Sequence, residues 1–326
     1  MPIRTAFTDL FALDHPVALA PMGGVAGGRL AAAVANAGGL GLVGGGYGDP
    51  EWVEREVALA ARDAARAWGV GFITWHLDPE VLDLALRFRP AAVMLSFGDV
   101  GPYVAAVRDG GARLVCQVTG LDEARDAVAA GADLIVAQGT EAGGHGADRS
   151  TLPLVPAVVD AVRPTPVLAA GGIADGRGLA AALGLGAQGA LVGTRFYASP
   201  EALGHPAVKE RLVAAAGGET TRLGTDVFDA VRGYAWPERY SGRALRNAFR
   251  EQWAGRTHEL VADPAERERF RRAAEEGDVD TAVVFAGEDV DLIPGLEPAA
   301  NLVASIGASA EQVLRDLSRL IGGGSG

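Results

Sequence analysis

A single cysteine, Cys116, occurs in 326 residues, so no disulfide can form within the chain and a reducing compartment is the expected setting. It sits in the apolar run Leu114-Val115-Cys116, where a small buried core residue is the expected reading. Basic charge is also short: 29 Lys and Arg face 41 Asp and Glu, for a formal net charge of -12 at pH 7. Affinity for nucleic acid rests on Lys and Arg neutralising phosphates, and anionic membrane surfaces attract the same residues. Neither partner is expected. No apolar run approaches the ~20 residues that span a bilayer, and Met1-Pro2-Ile3-Arg4 does not open a secretory signal. A soluble, cytoplasmic protein is expected. No Walker A sequence, Cys/His cluster or H-x-x-x-H pair occurs, so a metal site has no support. The oligomeric state is open, a homo-oligomer included.

What is abundant is apolar residues, at 49%, and glycine, at 46 positions, a composition that suits an α/β enzyme with many tight turns. Eight short apolar runs recur, at 17–22, 40–43, 70–75, 92–96, 113–118, 134–137, 166–170 and 190–196. They are continuous and do not alternate, as parallel strands covered on both faces require. Helical patterns lie between them, several stopped by glycine, as at Gly38, Gly110, Gly131 and Gly186. Eight such units predict an α/β fold, a (β/α)8 TIM barrel over residues 1–198. A doubly wound sheet is the competing architecture. After Phe196 the Val-rich strands give way to charge, Trp and Arg, which predicts an appended, mostly helical subdomain over 199–290, serving as substrate or lid domain. The segment 291–321 ends in an amphipathic stretch, 308–320, that is expected to return to the barrel. Residues 322–326 read as a flexible tail.

The loop 138–146, Gln138-Gly139-Thr140-Glu141-Ala142-Gly143-Gly144-His145-Gly146, leaves the sixth run. Gly143 and Gly144 let backbone approach a ligand closely, and His145 is the candidate catalytic acid-base. A histidine satisfied within a glycine-rich turn is the alternative. Thr140 and Glu141 lie on the same loop within reach of the ring, but the favoured expectation is that both face solvent. In a barrel the loops after strands 7 and 8 commonly bind phosphate. Here they carry Gly171-Gly172 and Gly193-Thr194, whose backbone N–H groups, helped by the N-termini of the following helices, suit an anion. Ala20-Pro21-Met22-Gly23-Gly24 offers backbone for a planar ring. Gly39-Leu40-Gly41-Leu42-Val43-Gly44 formally matches G-x-G-x-x-G, but the strand lies inside the motif, so it is rejected as a dinucleotide fingerprint.

Five segments, 20–24, 36–41, 139–146, 169–176 and 192–196, together resemble the nitronate monooxygenase (2-nitropropane dioxygenase-like) family of FMN-dependent barrels, which is also similar to the flavin-dependent enoyl-acyl-carrier-protein reductase. The resemblance implies FMN as cofactor, with its phosphate on Gly171, Gly172, Gly193 and Thr194. It sets Pro21, Met22 and Gly23 beside the isoalloxazine and makes His145 the catalytic base. It further implies oxidation of an alkyl nitronate or nitroalkane, as small-molecule substrate, with O2 to a carbonyl compound and nitrite. An NAD(P)H-dependent reductase of an enoyl thioester or quinone, and a flavin-binding barrel without turnover, remain alternatives. The chain departs from the family in two places. Val70-Gly71 stands where many members have Val-Asn, and Gln117 stands near the flavin N1/O2 edge where barrels often carry lysine, so less stabilisation of an anionic reduced flavin is expected. Trp75, His76, Phe97, Tyr234 and Trp236 are candidate pocket walls.

Overall fold

A computed structural model describes residues 3–321. Its strands are β1 (Val17–Leu19), β2 (Gly41–Gly46), β3 (Trp68–Ile73), β4 (Ala92–Ser96), β5 (Arg113–Val118), β6 (Leu134–Gln138), β7 (Gly144–Gly146), β8 (Val167–Ala170), β9 (Ala190–Val192), β10 (Thr220–Thr221) and β11 (Ser241–Leu245). Eight of them pair in parallel in the order β1-β9-β8-β6-β5-β4-β3-β2. An Ala18–Leu40 bridge joins the two ends of that order and closes the barrel, which excludes the doubly wound sheet.

The continuous apolar runs are explained by burial on both faces. Ala18, Leu42, Met94, Val136 and Leu168 belong to the interior cluster. Their chain neighbours Val43, Val93, Leu95, Ile135 and Ala169 belong to the larger cluster that includes the surrounding helices. Because successive side chains point to opposite faces, the middle of each strand is apolar on both, and polar residues such as Arg113, Ser96, Gln117 and Gln138 fall at or next to strand ends. Phe7 and Phe11, on the helix Ala6–Phe11, complete the interior cluster at the N-terminal end of the strands, beside Gly189. Cys116 is buried in the wall as expected, and burial pushes its thiol up to about 12.

Three strand expectations ran too long. The run 17–22 is strand only to Leu19, and 70–75 gives way to a short 3-10 turn at Thr74–His76. The run 190–196 ends at Val192, after which Thr194–Tyr197 is helical. Beyond Tyr197 the chain is mostly helical, with its own small core of Val227, Phe228, Phe249, Leu260 and Phe270. It also contributes two strands that periodicity did not predict: β10 and β11, which form an antiparallel sheet with β7 in the order β10-β11-β7. The last helix, Ala299–Ile321, is longer than the expected 308–320 and packs on the barrel helices Gly176–Gly184 and Gly28–Asn36. The tail 322–326 lies outside the described residues. Among the described residues no helix is long and apolar enough to cross a membrane.

The barrel depends on close backbone contacts at glycine. A methyl group on Gly41 would lie 1.8 Å from the Ala31 carbonyl oxygen, whereas one on Gly184 would meet no heavy atom within 4 Å. Gly41→Ala should therefore cost about 3 kcal/mol of stability through overpacking, and Gly184→Ala should change it by less than about 0.5 kcal/mol. Denaturant unfolding of both variants checks this; equal effects would contradict the packing.

Candidate active site

At the C-terminal ends of the strands lies a cavity of about 600 Å³, and the residue expected as base and all those expected to bind cofactor line it. Pro21, Met22 and Gly23 come from the loop after β1, and Gln117 from the end of β5. Gly143, Gly144 and His145 follow β6, Gly171 and Gly172 follow β8, and Gly193 and Thr194 follow β9. The decoy motif contributes only Gly44, which lines the cavity together with the next two residues of β2, Gly45 and Gly46.

One corner is backbone. Gly171 and Gly172 take φ of 104° and 73°, which side chains rarely adopt. Among the described residues, the N–H groups of Gly172, Gly193 and Thr194 have no acceptor. The Thr194 hydroxyl accepts from Gly287 N–H at 2.9 Å, which leaves its own proton to donate. A phosphate would meet several donors here, so the corner fits a phosphate-bearing cofactor. One expectation is corrected. The helix Gly176–Gly184 does not offer its N-terminus, because Asp175 caps it by accepting from Arg177 and Gly178 N–H.

His145 lies in β7, where it pairs with Gly242 of β11. It is 8% exposed, and its Nε2 lies 2.8 Å from Asp229 Oδ2. Its ring stacks on Trp236, with centroids 3.6 Å apart and planes 3° apart. Burial pulls its pKa below the ordinary histidine value, against the opposing pull of the Asp229 carboxylate. The imidazole is therefore neutral at neutral pH and able to accept a proton. Thr140 and Glu141, expected to face solvent or else to orient the ring, do neither. Glu141 accepts from the Thr151 N–H and hydroxyl, and the Thr140 hydroxyl accepts from Arg222.

The loop itself is gripped from the appended segment. Arg222 donates to the carbonyls of Thr140 and Ala142, and Arg243 donates to Thr140 O at 2.8 Å. Burial and the neighbouring Arg243 lower the Arg222 pKa to about 10, which leaves the guanidinium charged at neutral pH. A side-chain relay fixes the floor: Gln117 donates to Gln138 Oε1 at 3.1 Å, and Gln138 donates to His145 O at 3.0 Å. Gly71, the position of the departure from Val-Asn, is explained sterically, since a Cβ there would lie 2.4 Å from Pro21 Cγ.

Aromatic rings close the opposite wall. Of the candidates, Phe97, Tyr234 and Trp236 line the cavity, while Trp75 and His76 pack behind them. Tyr234 stacks on Tyr47 at 3.7 Å, and Trp236 Nε1 donates to the Tyr47 hydroxyl at 2.9 Å. Tyr47, Gln138, Asp229, Arg232, Phe285 and Asp289 were not foreseen as site residues. The pattern Asp229-x-x-Arg232 on a helix is a visible acid–base spacing, but nothing in the sequence ties it to a histidine 84 positions away.

The family model for nitronate monooxygenase matches residues 4–74 and 78–308. Nitronate monooxygenase npaC of Metarhizium robertsii is 35% identical over 324 residues, covering 90% of each chain. The structure of FabK from Thermotoga maritima superposes with a TM-score of 0.84 at 30% identity, covering 98% of this chain and 99% of that one. Nitroalkane oxidase from Streptomyces ansochromogenes superposes with a TM-score of 0.80 at 29% identity, over 96% of this chain and all of that one.

Asp289, in the wall beside Gly287 and Thr194, is 6% exposed, and burial raises its pKa to about 6. A carboxyl whose folded pKa lies above its unfolded value of ~3.9 contributes stability that is complete below pH ~4 and is lost as pH rises through about 6. Asp289→Asn, neutral throughout, should remove that loss and raise stability at pH 7 by on the order of 2 to 3 kcal/mol. Denaturant midpoints at pH 5 and pH 7 measure it, and an unchanged pH dependence would contradict the burial argument.

Proposed function

Because the chain belongs to the nitronate monooxygenase family, an oxidoreductase family of flavin-dependent barrels, we propose that it binds FMN and oxidises alkyl nitronates with O2 to a carbonyl compound and nitrite. Nitroalkanes are substrates once deprotonated. The observation that carries this reading is a buried, neutral imidazole in the same cavity as a corner of unpaired N–H donors.

In the proposed complex, Gly172, Gly193 and Thr194 donate to the phosphate, and the positive φ at Gly171 and Gly172 turns the chain around it. Pro21, Met22 and Gly23 would lie against the ring, and Gly143 and Gly144 bring backbone to the cavity wall beside His145. Gln117 lies in the wall with one N–H committed to Gln138. Bound there, FMN supplies two-electron redox chemistry. His145 takes the proton from the carbon beside the nitro group, and the Tyr47, Tyr234 and Trp236 wall keeps bulk water from the carbanion. The division into a barrel of 1–198, a substrate subdomain of 199–290 and a returning segment of 291–321 belongs to the same proposal, with Arg232, Tyr234, Trp236 and Phe285 as the substrate wall.

The likeness to FabK over nearly the whole chain keeps an NAD(P)H-dependent reductase as the second reading. Rapid anaerobic bleaching of the flavin by NAD(P)H would favour it; reaction with nitronate in the absence of pyridine nucleotide favours the first.

The purified protein should be yellow and release FMN, not FAD, on denaturation; a colourless protein that FMN does not reconstitute would contradict the cofactor. His145→Asn should retain FMN and lower turnover of neutral nitroalkanes by roughly 10²- to 10⁴-fold, the range of general base catalysis. Preformed nitronates have already lost the proton and should be affected far less. Steady-state rates on both forms decide: equal losses would make His145 a binding residue and not the base.

A further inference from the structure

The imidazole of His145 is held on two sides. Its Nε2 edge meets Asp229 Oδ2 at 2.8 Å and one face lies on Trp236. Nδ1 has no hydrogen-bond partner among the described residues, in a residue that lines the cavity. Asp229 is itself anchored: its Oδ1 accepts from Arg232 Nη2 at 2.7 Å, and Arg232 Nε donates to Phe228 O at 2.8 Å. Both carboxylate oxygens are thus committed, one to a guanidinium and one to the imidazole. The helix Asp226–Arg232 ends immediately after this pair, at Gly233 with φ of 78°, and the reversed chain brings Trp236 back over the ring. One short helix and its turn therefore set the in-plane partner and the stacking partner together.

We propose that Asp229 is the positioning residue of this site, fixing His145 as the Nε2–H tautomer so that Nδ1 is the atom that accepts the substrate proton. A carboxylate has only acceptors, so the hydrogen of this pair must lie on Nε2, and the lone pair is then on Nδ1. This rests on the proposed function. In the step itself the bond from the α-carbon to hydrogen breaks and its electron pair passes into the nitro group, giving the nitronate. The proton forms a bond to Nδ1, and the resulting imidazolium has its charge against Asp229. The charged groups that act on the ring are Asp229, which favours the protonated form, and Arg232 and Arg222, which disfavour it. Asp229→Asn removes the first while leaving the two arginines in place. The amide can also present N–H to Nε2, which favours the wrong tautomer.

Two measurements test this separately from the reaction. Nitrogen-15 NMR of the 15N-histidine-labelled holoenzyme, with His145 identified among five histidines by its loss in His145→Asn, reads the tautomer directly. Nε2–H is expected, and Nδ1–H would overturn the proposal. The pH profile of kcat/KM on a neutral nitroalkane then reads the coupling. Asp229→Asn should lower the plateau at least about tenfold, with the ~10⁴-fold lost when a triad's orienting carboxylate becomes an amide as the upper scale, and should move the acidic limb to lower pH. Asp229→Glu should restore part of the plateau. A limb and plateau unchanged in Asp229→Asn would overturn the assignment. An Nε2–H tautomer in an enzyme inactive on both nitroalkanes and nitronates would instead count against the proposed substrate and leave the role of Asp229 standing.

Discussion

The site depends on the pairing of three residues, 144–146, with 241–243. That short antiparallel ladder sets Gly242 opposite His145 and is the seam between the barrel and the segment appended to it. From the barrel side it receives a loop at the end of β6; from the other it receives the strand that follows the helix of Asp229 and the turn of Trp236. If the ladder slipped by one residue, His145 would face the opposite side of the sheet. Its register is protected by groups that are individually modest and collectively demanding. Arg222 and Arg243 converge on the Thr140 carbonyl, and a buried guanidinium left without acceptors is costly. The same guanidinium groups also tie the loop outward, Arg243 to Glu288 at 2.9 Å and Arg222 to the Ser241 carbonyl.

The cavity then divides by chemistry. At one corner, glycine φ angles and unpaired N–H groups make up the proposed anion site, with no lysine or arginine lining that corner among the described residues. This explains how a chain of net charge -12 can suit a phosphate. At the other end, stacked rings surround one buried imidazole. Between them run the glycine-bearing ends of β1 and β2 and the Gln117–Gln138 relay, a surface that is flat because few side chains leave it. The packed barrel core below and a separate helical core above hold these parts apart, as the proposed coupling of proton removal to redox chemistry would require.

Most of the barrel was legible because both faces of its strands are buried. That condition writes apolar residues along the middle of each strand, and local pattern suffices to find them. The backbone corner was legible for a related reason: Gly171-Gly172 and Gly193-Thr194 are contiguous in sequence. The rest was not local. Strand β7 is Gly-His-Gly and β10 is two residues, too short for any period. Asp229 reaches His145 only through the ladder, so the loop's own Glu141, which the fold assigns to Thr151, was the nearest acid that local pattern offered. The helix N-terminus expected at the anion corner is closed by Asp175, a capping choice that the motif alone does not reveal. Tyr47 and Phe285 join the aromatic wall from positions with no motif at all.

The claim on which all of this converges is that His145 breaks a bond from carbon to hydrogen before electrons leave the substrate. The most direct measurement is the primary kinetic isotope effect on flavin reduction, mixing the holoenzyme anaerobically with nitroethane carrying protium or deuterium at the α-carbon, and separately with the corresponding preformed nitronates. A normal isotope effect of several-fold with the neutral nitroalkane and none of that size with the nitronate is the predicted result. Fast reduction by the neutral nitroalkane with no isotope effect would contradict the account.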